Sequence, residues 1–167
     1  MRIQTAFEEK LNAYTHAVGA LFGIAALVLL IIHDTIKTDW SLFSVIVYGT
    51  SIIVLFTAST LYHSVKNEAK KHNFRIIDHI SIYLLIAGTY TPVLLISLEQ
   101  TLGWTLFWVV WGIAAFGVVL KLFFTGKFEI FSTLLYLVMG WLIVFDFSNL
   151  SEIIGSDGIL FFFAGGL

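Results

Sequence analysis

Long runs of apolar residues, separated by short charged segments, dominate this sequence. A helix that crosses a bilayer needs about 20 predominantly apolar residues. The runs therefore predict five complete transmembrane helices. The predicted spans are residues 15–33, 41–64, 77–98, 102–123 and 129–147. Because the runs are continuous and do not alternate with polar residues, the pattern favours helices over a β-barrel.

A sixth apolar run follows Asp157 and reaches Leu167. Residues 158–167 would form about 15 Å of helix, which is about half the thickness of a hydrocarbon core. We expect a partial sixth span whose continuation is missing from the sequence, and a re-entrant or interfacial stub is the alternative. The prediction is an all-α membrane protein, a helical bundle that forms one transmembrane domain over residues 1–167.

Positive charges concentrate at one end of the predicted bundle. When the loops alternate between the two sides, eight Lys and Arg residues fall on one side and only Lys37 falls on the other. The eight are Arg2, Lys10, Lys66, Lys70, Lys71, Arg75, Lys121 and Lys127. Cytoplasmic loops carry an excess of Lys and Arg. The sequence therefore predicts a multi-pass plasma-membrane protein with a cytoplasmic N-terminus.

The composition supports a membrane location, because 59% of the residues are hydrophobic and only 12% are charged. Soluble domains contain about 25% charged residues, so a soluble enzyme and a disordered tail are excluded. A net charge of −2 offers no basic field for nucleic acid, and the lipid bilayer is the expected partner. The absence of Cys excludes disulfide frameworks, thiolate metal clusters and a cysteine nucleophile.

Ionisable groups within membrane spans are costly and are functional candidates by default. Ser59 and His63 are four residues apart, so they share one face of the second span. Asp78 opens the third span, and a short link brings it to the depth of His63. A histidine beside a carboxylate that holds a water is a common part of metal-assisted hydrolysis. Interhelical hydrogen bonds for Ser59 and helix capping for Asp78 are the structural alternatives.

One histidine does not make a zinc site, because zinc needs about three protein ligands and the sequence contains no HxxxH motif. His16 forms a polar ladder with Glu9 and Asn12 on one face of the first helix. This ladder is expected either to pair with another helix or to order the cytoplasmic mouth of the bundle.

Other residues predict how the helices pack. Gly19 and Gly23 form a GxxxG motif on the first span, which is typical of close helix packing. Pro92 lies inside the third span and predicts a kink there. A set of aromatic residues fits an outer interfacial belt. They are Trp40, Tyr48, Trp104 and Trp108.

Three segments in series resemble the bacterial haemolysin III proteins of the progestin and adipoQ receptor superfamily, which is similar to the alkaline ceramidases. The segments are EEKLNAYTHAVGA (8–20), STLYHS (59–64) and DHISIYLLIAGTYTP (78–92). The resemblance implies seven transmembrane helices around a zinc ion on the cytoplasmic side. It assigns one zinc ligand to His63, the zinc-bound water to Asp78 and a supporting position to Ser59. It places the other two ligands in an HxxxH motif on the seventh helix, which these residues lack.

The resemblance leaves three functions open. The first is a zinc-dependent membrane hydrolase of a lipid amide or ester, with Asp78 and Ser59 as catalytic residues. The second is a non-enzymatic protein of membrane homeostasis, or a pore-forming cytolysin, which a stripe of hydroxyl groups on the second span supports. The third is a receptor-like sensor that uses the metal structurally.

Overall fold

The computed structural model describes residues 4–166. Within this range it contains six α-helices. They are α1 (Ala6–Ile32), α2 (Ser41–Ser64), α3 (Glu68–Pro92), α4 (Gly103–Phe124), α5 (Glu129–Trp141) and α6 (Phe147–Gly166). A π-helical segment, Val93–Ser97, extends α3, and a 3₁₀ segment, Leu142–Asp146, joins α5 to α6. Five helical segments are long and apolar enough to cross a membrane, so the predicted all-α membrane fold is confirmed. Of the residues used in the sequence predictions, Arg2 and Leu167 lie outside the described residues.

Two helices begin earlier than the predicted spans, because capping residues precede them. Thr5 and Glu8 form a capping box that starts α1 at Ala6, with Glu8 Oε2 accepting a 2.7 Å hydrogen bond from the Thr5 amide. Asn67 caps α3 by accepting a hydrogen bond from the amide of Lys70. Both helices therefore begin with polar turns that precede the apolar runs from which the spans were predicted.

The helices pack mainly in chain order. Among the described residues, α1 packs against α2 alone, whereas α3 contacts α2, α4 and α5. The hydrophobic core lies between α3, α4 and α5 and their extensions. Its fully buried members include Ala87, Leu94, Leu95, Leu98, Val110 and Met139. The first helix is therefore peripheral, and its only buried residue is Gly23.

The GxxxG motif on α1 lies in the contact with α2, as predicted. A Cβ atom on Gly19 would lie 2.6 Å from the ring of Phe56, and one on Gly23 would lie 2.9 Å from Ile52. These separations leave no room for a larger side chain unless the helices move apart. The motif therefore allows the close approach of α1 and α2.

Pro92 changes the hydrogen-bond pattern of its helix. The chain continues directly from α3 into the π-helical segment, where the amide of Leu98 donates to Val93 O at 3.1 Å. The sequence predicts a kink at Pro92, and the structure shows a change of helical pattern directly after this residue. The irregularity takes the form of wider helical turns, which arise because proline removes one amide donor from the ladder.

The fifth span is also irregular, and Tyr90 satisfies the backbone groups that the irregularity frees. The Tyr90 hydroxyl donates to Gly140 O at 2.7 Å and accepts from the amide of Ile143 at 3.1 Å. The predicted loop after residue 147 is helical instead, and it is interrupted at Gly155, where φ is 66°. Glycine adopts this positive φ without strain, so a break at one residue replaces the expected loop.

Candidate functional site

The candidate site lies where the N-terminal part of α1 meets the end of α2. His63 is in the last turn of α2, and its Nδ1 lies 2.8 Å from Glu9 Oε2 on α1. The other oxygen of Glu9 accepts a hydrogen bond of 2.6 Å from Lys71 Nζ on α3. The Glu9 carboxylate on α1 therefore contacts both α2 and α3. The His63 side chain is only 9% exposed.

This pairing fixes the orientation of the His63 ring. An ionised carboxylate can only accept hydrogen bonds, so the proton lies on His63 Nδ1. In the neutral ring, Nε2 then carries the free lone pair. A carboxylate that holds one nitrogen while the other faces a metal is the usual arrangement around metal-bound histidines. His63 is thus prepared to bind a metal ion or to accept a proton at Nε2.

His16 lies against His63. The two imidazole rings are stacked, with centroids 5.7 Å apart and an interplanar angle of 11°. His16 Nδ1 is buried and has no hydrogen-bond partner among residues 4–166. Of the ladder on α1, Glu9 and His16 contact α2, whereas Asn12 bonds to Gln4. The structure therefore favours helix pairing for this ladder.

Asp78 lies inside α3 and does not open it. Because Asn67 caps the helix and Glu68 begins it, the carboxylate of Asp78 is too far along the helix to cap its N-terminus, and the capping alternative is wrong. Asp78 is half-buried, and its carboxylate has no hydrogen-bond or ion-pair partner in the described part of the chain. Its charge acts on His16. No direct bond joins Asp78 to His63 within residues 4–166.

Ser59 lies one helical turn before His63 and is 5% exposed. The serines of this face of α2 point into the bundle, and Ser44 and Ser51 are buried as well. Ser51 sits against Gly88 of α3, where a Cβ atom would overlap it. This close contact supports helix packing as one role of the hydroxyl stripe. The catalytic role of Ser59 stays a prediction.

The described residues provide one suitable ligand for a zinc ion, but they do not form a complete zinc site. His63 has the tautomer and the carboxylate support that a zinc ligand needs. However, residues 4–166 contain no group of three His, Cys, Asp or Glu side chains that could hold one metal ion. The assignment of a metal ligand to His63 therefore stays a prediction.

A second polar cluster joins α3, α4 and α5, and sequence reasoning did not single it out. Lys121, only 2% exposed, lies 2.9 Å from Glu129 Oε2, and Arg75 lies 3.4 Å from the other oxygen. His79 Nδ1 is 3.9 Å from the same carboxylate. Lys121 and Glu129 flank apolar runs, so the sequence alone indicates that they are charged loop residues. Only the packing shows that they pair inside the bundle.

Residues 4–167 match the family described as "Haemolysin-III related". "Hemolysin-3" of Bacillus cereus is 45% identical over 96% of this chain and 74% of that protein. "Hemolysin-3 homolog" of Bacillus subtilis is 44% identical over 96% of this chain and 76% of that protein. "Monocyte to macrophage differentiation factor" of Homo sapiens is 30% identical over 98% and 68%, respectively. No solved structure matches the chain.

Proposed function

Because the chain belongs to the haemolysin III family, we propose that it is a plasma-membrane hydrolase of lipid amide or ester bonds that depends on zinc. The proposal treats residues 1–167 as one helical membrane domain with its N-terminus in the cytoplasm. It rests chiefly on the hydrogen bond from His63 Nδ1 to Glu9, which leaves Nε2 free as a ligand.

Each residue of the site has a distinct role in this proposal. His63 would hold zinc through Nε2, and Glu9, itself bonded to Lys71, fixes the orientation of the His63 ring. The unpaired carboxylate of Asp78 accepts a proton from the attacking water. Ser59 supports the site from the preceding turn of α2. If bound there, zinc would supply Lewis acidity toward the carbonyl and the water, and two further ligands would have to come from outside the described cluster.

The groove beside His63 favours a lipid as the substrate, because it runs between two membrane-spanning helices. In this proposal a lipid enters the groove from the leaflet. We expect the scissile bond near the headgroup, because His63 lies in the last turn of its helix.

Two variants test the hydrolase directly. His63→Ala should abolish zinc binding and turnover, and Asp78→Ala should abolish turnover while zinc stays bound. His72→Ala is the matched control, because His72 is exposed at the same end of the bundle. Zinc content is measured by plasma mass spectrometry, and hydrolysis is measured on short-chain lipid amides and esters. Unchanged hydrolysis in both variants would reject the proposal.

A non-enzymatic function in membrane homeostasis, or pore formation, is the second candidate, and the name "Hemolysin-3" of the Bacillus cereus relative favours it. The buried serines of α2 weaken it, because they do not line an open passage. Recordings in planar bilayers separate the candidates, since a pore gives metal-independent conductance steps and a hydrolase gives none. A receptor-like sensor, in which a structural metal ties the second, third and seventh helices, would instead show ligand-dependent changes in helix packing without product.

A further inference from the structure

A groove of about 670 Å³ runs between α1 and α2 beside His63. Ala13 and Ala17 line its α1 side, and their small side chains leave space that larger residues would fill. Thr60 and Val65 line the α2 side. The ring of Tyr14, which is 72% exposed, stands at the edge. The groove is therefore apolar beside Ala13 and Ala17, and it is polar toward the helix ends, where charged side chains line it.

Three lysines stand around this groove, and two of them have no acidic partner. Lys71 is held by Glu9 at 2.6 Å. Lys10 and Lys66 are exposed, and neither forms an ion pair within the part of the chain that the structure describes. Glu68 is the other acid of the groove, and it lies in the first turn of α3, where the helix dipole favours it.

The two unpaired lysines lie at the level that lipid headgroups would occupy. Lys10 is near the beginning of α1, and Lys66 follows the last residues of α2, so both mark the same end of two spanning helices. Lysine side chains at helix ends extend their ammonium groups toward the interface. Two ammonium groups above an apolar groove complement a lipid that carries a phosphate and an acyl chain.

We infer that this groove binds an anionic phospholipid, with its phosphate between Lys10 and Lys66 and an acyl chain along Ala13 and Ala17. The inference deepens the proposed function, because His63 lines the same groove. It names the substrate class as lipids with an anionic phosphate headgroup. The binding itself requires neither zinc nor hydrolysis.

Binding is measured by native mass spectrometry of the purified full chain with phosphatidylglycerol and, separately, phosphatidylcholine. The unmodified protein should prefer phosphatidylglycerol. The double variant Lys10→Gln/Lys66→Gln should lose on the order of thirtyfold in phosphatidylglycerol affinity, because each lysine near a headgroup contributes about 1 kcal/mol. Its affinity for phosphatidylcholine should stay the same.

The matched control is Lys70→Gln/Lys127→Gln, which removes the same charge from exposed lysines at the same end but outside the groove. This variant should keep its preference for phosphatidylglycerol. Equal losses in the two double variants, or no preference in the unmodified protein, would overturn the inference. His63→Ala and Asp78→Ala separate it from the hydrolase proposal. Retained lipid binding with lost turnover supports both, and retained binding with unchanged turnover rejects only the hydrolase.

Discussion

At the scale of single residues, the polar groups inside the bundle differ in how fully they are bonded. Tyr90 satisfies the amide of Ile143 and the carbonyl of Gly140, where the helical ladder of the fifth span changes its pattern. Backbone groups at membrane depth need such partners, because lipid offers none. Tyr90 therefore satisfies backbone groups of the fifth span, and its position in the sequence alone does not indicate this role.

Tyr90→Phe should lower the free energy of unfolding by about 1–3 kcal/mol, because two buried backbone groups lose their partner. The measurement is thermal unfolding in detergent, followed by circular dichroism. Tyr14→Phe removes a hydroxyl from an exposed ring and is the control. An unfolding temperature for Tyr90→Phe equal to that of the control would contradict this role.

Glu9 is a positioning residue for His63, and its effect can be tested apart from turnover. Glu9→Gln should weaken zinc affinity about 10–100-fold, because the carboxylate no longer orients and polarises the imidazole. Competition with a zinc-chelating dye measures this affinity. Glu68→Gln, at the same end of the bundle, should leave it unchanged. Equal zinc affinities for the two variants would remove Glu9 from the site.

Sequence spacing identified the side chains of the site better than it identified their partners. The ladder of Glu9 and His16 was visible from the spacing on one helix, and so was the shared face of Ser59 and His63. The bond from Glu9 to His63 joins residues that are far apart in the chain, and only the packing of α1 on α2 creates it. The pairing of Lys121 with Glu129 depends on packing in the same way.

At the scale of helices, the apolar runs located all five spans, because lipid imposes length and composition together. The ends were less predictable. Asn67 starts α3 within a charged segment that hydropathy assigns to a loop. The 3₁₀ segment in the fifth span contains no proline from which it could be predicted. Its Ile143 amide donates a hydrogen bond to the hydroxyl group of Tyr90 on α3. Capping residues and hydrogen bonds between distant residues therefore determine the helix ends and irregular segments, which hydropathy does not predict.

The contact of α1 with α2 should be sensitive to glycine substitution, because α1 packs closely against α2 and reaches α3 through the Glu9–Lys71 ion pair. Gly23→Leu should destabilise this contact by about 1–3 kcal/mol through overpacking. Gly112→Leu is the matched control, since a Cβ atom there meets nothing within 4 Å. Proteolysis of α1 in detergent reports the loss, and equal cleavage of the two variants would contradict the packing role.

At the scale of the whole molecule, the charge distribution predicts the orientation in the membrane. Arg75 and Lys121 pair with Glu129, and Lys71 pairs with Glu9, so these three count less than free loop charges. The remaining described lysines still lie at one end, with Lys37 alone at the other. They are Lys10, Lys66, Lys70 and Lys127. The predicted cytoplasmic N-terminus therefore survives the correction for pairing.

Single-cysteine variants test this orientation cleanly, because the sequence contains no cysteine. Thr35→Cys and Gln100→Cys, in exposed positions at the end of the bundle that carries Lys37, should react with an impermeant maleimide on intact cells. His72→Cys should react only after permeabilisation. The reverse pattern would place the lysine groove and His63 on the outer face. An outer location would also separate them from the leaflet whose anionic lipids the groove is proposed to bind, so this labelling constrains the lipid inference as well as the topology.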